Sequence, residues 1–251
     1  MSLNIHSFKQ ELYSYRFRCQ LLKALFLFAI VLFLIWQYGL KSPLYKRVYG
    51  VRDNQVLTIY AADKITDLPK QPIQRANVNG FDIEVEVVKK FETVTKVIYV
   101  DRYSALGTWY RSRDGADLYD KVVPLDVSTA TGYFGQHPEC FDEIDHEYRC
   151  LMWLTSPRCM HIKDNNDINN NHIIPATKNV QRGLDILKAG TIAKMEGYLV
   201  YWQGTGKYKG YRFESAVTLG QVSQQRYAGQ QSGLCRQLYL TKLSFDGYTF
   251  E

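Results

Sequence analysis

The sequence predicts an α+β protein: one N-terminal transmembrane helix followed by a β-rich extracytoplasmic domain. Three observations carry this. An apolar run extends from Leu21 to Leu40. The string Phe81-Asp82-Ile83-Glu84-Val85-Glu86-Val87 alternates apolar and acidic residues with a period of two, as a half-buried strand does. The last third reads as helix, hairpin and closing strand, in a chain whose 19 Tyr accompany many Val, Ile and Thr, residues that favour sheets.

Ala24 to Ile35 carries no charged or polar side chain. At about 1.5 Å per residue, about twenty residues cross a hydrocarbon core of about 30 Å. Lys23 lies near one end, where it can snorkel, and Trp36 and Tyr38 lie near the other, where amphipathic rings favour the interface. A helix packed on the surface of a globular core would show a polar stripe, and this run is apolar all round. A cleaved signal peptide would have a shorter apolar region and a small-x-small site, which Gln37-Tyr38-Gly39-Leu40-Lys41 does not offer. Basic residues flank both ends (Lys9, Arg16, Arg18 and Lys23 before, Lys41, Lys46, Arg47 and Arg52 after), so charge assigns no orientation.

The cysteines bear on orientation instead. Of 5 Cys, Cys19 precedes the helix, and Cys140, Cys150, Cys159 and Cys235 follow it. An even number downstream of an export signal reads as two disulfides in an oxidising compartment, with three pairings open. Buried thiols in a cytosolic domain are the alternative. The expected organisation is a cytoplasmic tail over 1–20, a membrane helix over 21–40, a stalk over 41–79 and an exported β-rich domain over 80–251. The net charge of +6 comes without any basic run of the kind nucleic acid requires.

Within the stalk, Pro69 and Pro72 resist helix and sheet, and Val56 to Tyr60 reads as a short strand. Val94 to Val100 is a second strand after the one at Phe81. Leu118 to Val127 holds another, broken at Pro124. Gly132 to Asn171, rich in His, Cys, Asp and Asn, reads as a long loop with short elements, functional or tied down. Thr177 to Lys188 has helical spacing, with Thr177 as cap and Gly190 beyond its end. Ile192 to Trp202 and Tyr211 to Leu219 form a hairpin, and Leu234 to Leu243 closes the sheet. Gly197, inside a strand, suits a bulge. An OB-like partial barrel, with a helix before the C-terminal hairpin, fits this order.

Four of the 5 His (His137, His146, His161 and His172) share a segment with three cysteines. Zinc takes tetrahedral N and S ligands in close pairs, and none of the established spacings occurs, so no metal or other cofactor is expected. Asn171-His172-Ile173-Ile174-Pro175-Ala176 is similar to the core of HNH-type nucleases, but no His follows to complete a metal site. A structural role for Asn171, His172 and Pro175 is simpler. His172 remains the candidate base of a hydrolase working with a cysteine or a metal. No Gly-x-Ser-x-Gly string or phosphate-cradling glycine loop occurs. Tyr198, Trp202, Tyr208 and Tyr211 beside Lys207 and Lys209 form a possible binding face, on which single-stranded nucleic acid would stack. Ordinary hairpin packing explains those rings more simply.

The chain resembles an uncharacterised family of single-pass, inner-membrane-anchored bacterial periplasmic proteins. The resembling residues are Val123-Pro124-Leu125-Asp126, Gly132-Tyr133-Phe134-Gly135 and Asn171 to Ala176. They continue in Gly197-Tyr198-Leu199-Val200, Arg212 to Thr218, and Gly233-Leu234-Cys235 ahead of Leu238-Tyr239-Leu240. Their order and spacing, from about Asn79 to the end, carry the likeness. The chain departs from the family pattern in reading Asn-Asn-His where the family has Asn-x-His, and in the extra Cys140 and Cys159. The resemblance implies a compartment and a fold but no activity. The expected role is a membrane-anchored binding or scaffold protein in an envelope assembly, with other envelope proteins or a further copy of itself as partners.

Overall fold

The computed structural model describes residues 21–103, 116–147, 149–162, 168–206, 209–210, 212–215, 231–232 and 234–251. The chain divides into two compact units, Met1–Val48 and Tyr49–Glu251.

The first unit contains helix α1, described from residue 21 to 35. A π-turn at Trp36–Leu40 follows, with right-handed helical backbone at both of its ends. The helical course therefore runs unbroken into α2 (Lys41–Tyr49). The large apolar side chains of α1 are exposed, Leu22 and Phe26 by 66% and 68%. No helix among the described residues is by itself long and apolar enough to cross a membrane.

The second unit is β-rich. Its main sheet has ten strands, among them β1 (Val51–Arg52), β2 (Lys64–Asp67), β3 (Gln74–Val78) and β4 (Phe81–Arg102). Residues 41–79, which the sequence suggested were a stalk, supply the three short strands β1, β2 and β3 to this sheet. β2 pairs with Lys89–Glu92 and β3 with Phe81–Val85. The reason is a two-residue turn at Asn79-Gly80, with φ of 50° and 86°, the backbone that folds one strand directly onto the next.

β4 is one strand where two were expected. Register shifts at Val87/Lys89 and Val97/Tyr99 bend it, so that it pairs with β9 (Ile192–Gly204) along most of its length and with β5 (Leu125–Ala130) at its end. The strand expected over Leu118 to Val127 is instead helix α3 (Ala116–Val122) followed by β5, with Pro124 between them.

The short elements expected within the loop over residues 132–171 include a paired hairpin. These are α4 (Gly132–Gln136), an antiparallel hairpin of β6 (Phe141–Glu147) and β7 (Cys150–Thr155), and the start of β8 (Ile168–Pro175). Cys140 and Cys159, flanking the hairpin, are joined by a disulfide with their Cα atoms 5.5 Å apart.

Helix α5 (Lys178–Ile186) forms as its sequence demands. The Val180 amide donates to Thr177 Oγ1, and Val180 and Leu184 are buried. Then come β9, β10 (Arg212–Phe213), β11 (Gln231–Ser232), β12 (Leu234–Phe245) and β13 (Tyr248–Phe250). β11 pairs with β7, outside the main sheet.

Five strands close on themselves: β4 pairs with β5, β5 with β8, β8 with β12, β12 with β9, and β9 with β4. Only β8 and β12 run parallel in this ring. Gly197 sits where β9 crosses β12, and a Cβ there would lie 2.2 Å from the Tyr239 carbonyl oxygen. The register of β12 slips beside it, between Leu240 and Lys242. The sequence reading of a bulge at this glycine fits that close approach.

Candidate functional site

β8 is the centre of the site. All eight of its residues are buried, including Asn169, Asn170, Asn171 and His172. A strand this polar can be buried only if its side chains are hydrogen-bonded. Alternation sends Asn169 and Asn171 to one side of the sheet, into the ring, and Asn170 and His172 to the other.

On the inner side, Asn169 Nδ2 donates to Asp63 Oδ2 at 2.9 Å, and Arg236 Nη1 donates to the same oxygen. Arg236 and Asp63 are buried, and the guanidinium lies 5.6 Å from the Phe91 ring centre. Asn171, level with Arg236 across β8 and β12, donates to the Val127 carbonyl and to Thr129 Oγ1, both at 3.0 Å.

On the outer side, Asp126 collects three donors. Its Oδ1 lies 2.8 Å from His172 Nδ1 and accepts from Arg149 Nη1 at 3.3 Å, and its Oδ2 accepts from the Tyr103 hydroxyl at 2.7 Å. A carboxylate acceptor requires the hydrogen on His172 Nδ1.

Arg149 stands at the tip of the β6–β7 hairpin with φ of 63°. It also donates to Asp120 and to the Val123 carbonyl. Its guanidinium carbon lies 3.5 Å from the Tyr103 ring centre and 4.4 Å from that of Tyr119. Cation–π attraction thus adds to charge pairing at a largely buried guanidinium. Burial, and then the Asp126 charge, push the Tyr103 and Tyr119 phenols far above their ordinary range. Both therefore stay protonated.

The outer face continues onto β12. Gln237 is level with His172, and Cys235 with Asn170. Gln237 Nε2 donates to the Tyr119 hydroxyl at 2.9 Å, and Gln237 Oε1 accepts from Trp202 Nε1 at 3.1 Å. Cys235, two residues before Gln237, shares its face and is half-buried. A carboxylate that orients an imidazole is half of a hydrolytic triad, and the thiol is on the same face. His172, however, is only 4% exposed.

Other residues singled out by sequence fall elsewhere. His137 stacks on Tyr133 with ring centres 4.1 Å apart, its Nδ1 2.9 Å from Glu139 Oε1. His161 is exposed. Pro175 ends β8 beside Leu240. Trp202 is 1% exposed, stacked on Phe213 with ring centres 4.3 Å apart, so neither of its faces is open to a base. Tyr198 is half-buried and lines a groove with Tyr239. Tyr208 and Tyr211, and the side chains of His146 and Cys150, lie outside the described residues. Among the described residues, no three His, Cys, Asp or Glu side chains come together as metal ligands.

Sequence reasoning passed over Asp63, Asp120, Asp126, Arg149 and Arg236. Asp126 had a signal, a lone carboxylate in the apolar string Val123-Pro124-Leu125-Asp126-Val127. The others look like ordinary surface charges until the fold brings them together. No family model matches this chain, and neither a curated protein nor a solved structure matches it.

Proposed function

We propose that this chain is a non-enzymatic, membrane-anchored envelope protein. In this reading the helix over 21–40 crosses a bacterial inner membrane, and the barrel stands in the periplasm as a binding or scaffold domain for other envelope proteins. The exposed apolar surface of α1 supports the anchor, as does a helical course that continues without a break through Leu40, about 30 Å for twenty residues.

Numbering the ring strands in chain order gives 1-2-3-5-4-1, with strands three and five parallel and α5 between three and four. That is the Greek-key order of an OB barrel, whose ligands bind on the face of strands two and three. One observation carries the scaffold reading. Here that face, formed by β5 and β8, is filled by the chain's own hairpin, with Arg149 fastened to Asp126 and the Arg149 carbonyl accepting from Asn170 Nδ2 at 2.8 Å. The face on which OB barrels bind their ligands is therefore occupied here by internal packing. Contacts with partners fall to open surfaces, such as the polar groove lined by Arg75, Glu84, Gln203 and Lys209.

The test is extraction of the full-length protein in mild detergent from its native membrane, with a photo-crosslinking residue at Gln203. Crosslinks to one defined envelope protein, lost when Arg75 and Lys209 are both changed to Glu, are expected. Robust substrate turnover that disappears in a folded His172→Ala variant would sink the proposal. The second reading, a thiol hydrolase, is favoured by the shared face of Cys235, His172 and Asp126. It predicts that iodoacetamide labels Cys235 in the native protein and abolishes hydrolysis.

A further inference from the structure

We propose that the outer edge of β3 takes up an extended segment of another envelope protein as a further strand, one in which acidic side chains alternate with apolar or aromatic ones. The inference rests on the scaffold reading, which leaves partner contacts to open surfaces, and it names the chemistry of the partner.

Among the described residues β3 pairs with β4 alone, in an antiparallel register without a shift. The two-residue turn at Asn79-Gly80 makes Val78 and Phe81 a hydrogen-bonded pair, and such pairs alternate along the ladder. Val78, Ala76 and Gln74 therefore direct their backbone groups to β4, while Arg75 and Asn77 turn their N–H and C=O groups outward. An open strand edge is a template for another strand, which proteins blunt with bulges or covering elements. β3 is unbulged, and Ile73, the residue before it, is 59% exposed.

Two grooves have β3 as one wall. The first, of about 370 Å³, is lined across from it by half-buried Val87, Tyr198 and Tyr239. The second, of about 410 Å³, reaches from Asn77 and Val78 to Pro175, Ala176 and Lys178. Side chains of an added strand alternate between the two faces of the sheet. Those level with Gln74 and Ala76 meet the tyrosine groove, which suits apolar or aromatic groups. Those level with Arg75 meet a guanidinium that is 86% exposed, with Glu84 at 3.8 Å. Arg75 and Lys178 are the only charged residues lining either groove among the described residues, so charge complementarity favours an acidic strand.

In strand addition, main-chain hydrogen bonds supply affinity and alternate side chains supply specificity. The outward groups of Arg75 and Asn77 give the partner both donors and acceptors. An exposed ion pair adds little energy, so Arg75 decides which strand binds more than how tightly it binds. Arg75 also lines the polar groove beside Gln203, which places the added strand next to that surface.

The test uses the full-length protein in mild detergent and short fluorescent peptides as probes. One peptide alternates glutamate with valine or tyrosine, and the other has lysine in place of glutamate. The acidic peptide should bind, and the basic one roughly fivefold more weakly. N-methylation of one alternate set of amides in the acidic peptide should weaken binding roughly tenfold, and of the other set leave it unchanged. Arg75→Pro removes an N–H that faces away from β4, a change an edge strand tolerates, and should weaken binding as N-methylation does. Arg75→Gln keeps that N–H and should narrow the gap between the acidic and basic peptides. No binding, equal binding of the two peptides, or equal binding of the two N-methylated forms would each overturn the inference. The scaffold reading is tested apart from this, by the Gln203 crosslinks and by turnover in His172→Ala, so the two fail separately.

Discussion

His172 Nδ1 lies 2.8 Å from Asp126 Oδ1, with both side chains buried where β8 runs beside β5. This pair holds a covered face together, so its removal should act on stability before it acts on any chemistry. His172→Ala leaves Asp126 with Arg149 and Tyr103 as partners. A loss of about 1–3 kcal/mol is expected, the cost of an unmade buried hydrogen bond. Urea unfolding of the isolated protein measures it, and an unchanged midpoint would contradict this account.

Arg149 matters more than His172 by the same reasoning. It pairs with both Asp120 and Asp126, and those carboxylates are 7% and 0% exposed. Arg149→Met leaves two buried charges uncompensated, which should cost about 3–5 kcal/mol. Arg149→Lys should recover only part of that. An ammonium cannot span two carboxylates and the Val123 carbonyl with a planar fork, nor lie flat between two tyrosine rings. Thermal melts of the three proteins should rank them wild type, Lys, then Met.

The contrast between α5 and β8 shows what the sequence made legible. In α5, apolar spacing and the Thr177 cap lie within one short segment, so the helix was readable to within two residues at its ends. β8 spells Asn-Asn-Asn-His, which local pattern reads as loop. Its partners are 106 residues away at Asp63 and, through Arg236, 173 residues apart along the chain. No window of local sequence contains that network. The stalk was misread for a different reason, since Asn79-Gly80 is a strong hairpin signal whose upstream strand, Gln74–Val78, alternates only weakly. The same signal recurs at Asp246-Gly247, with φ of 51° and 75°, and adds β13 to the sheet.

Gly197 offers a test of the barrel crossing. Any Cβ there meets backbone, the Tyr239 carbonyl at 2.2 Å, and backbone cannot swing aside as a long side chain can. Gly197→Ala should therefore destabilise by several times the few tenths of a kcal/mol of a surface change, roughly 2–3 kcal/mol, as overpacking does. Gly190 is the control within the same connection, because a Cβ there meets nothing within 4 Å, although its φ of 87° carries its own strain. Chemical denaturation of Gly197→Ala and Gly190→Ala should show the larger loss at Gly197.

The buried phenols set a limit at high pH. Burial and Asp126 raise both Tyr103 and Tyr119, so the fold prefers their protonated forms. Their contribution to stability is complete below the ordinary tyrosine value near 10 and declines as pH rises past it, where the unfolded chain ionises and the folded chain does not. Absorbance at 295 nm should show exposed tyrosines ionising first, with Tyr103 and Tyr119 following only as the fold opens. Tyr103→Phe should leave one fewer late-titrating phenol.

Arg236 and Asp63 are the sharpest test of the ring's interior. Both are buried, and Arg236 Nε and Nη2 and Asp63 Oδ1 lack partners among the described residues. Such a pair gains Coulomb energy but loses much of it to desolvation. Removing one charge is therefore worse than removing both. Asp63→Ala strands a guanidinium beside Phe91 and should cost about 3–5 kcal/mol, while Asp63→Leu with Arg236→Met should cost clearly less than the sum of the two single changes. A double-mutant cycle read by urea denaturation gives the coupling directly. Additive losses would mean that the two side chains, though hydrogen-bonded, act independently, and that Asp63 ties the segment before β2 to the barrel by some means other than charge.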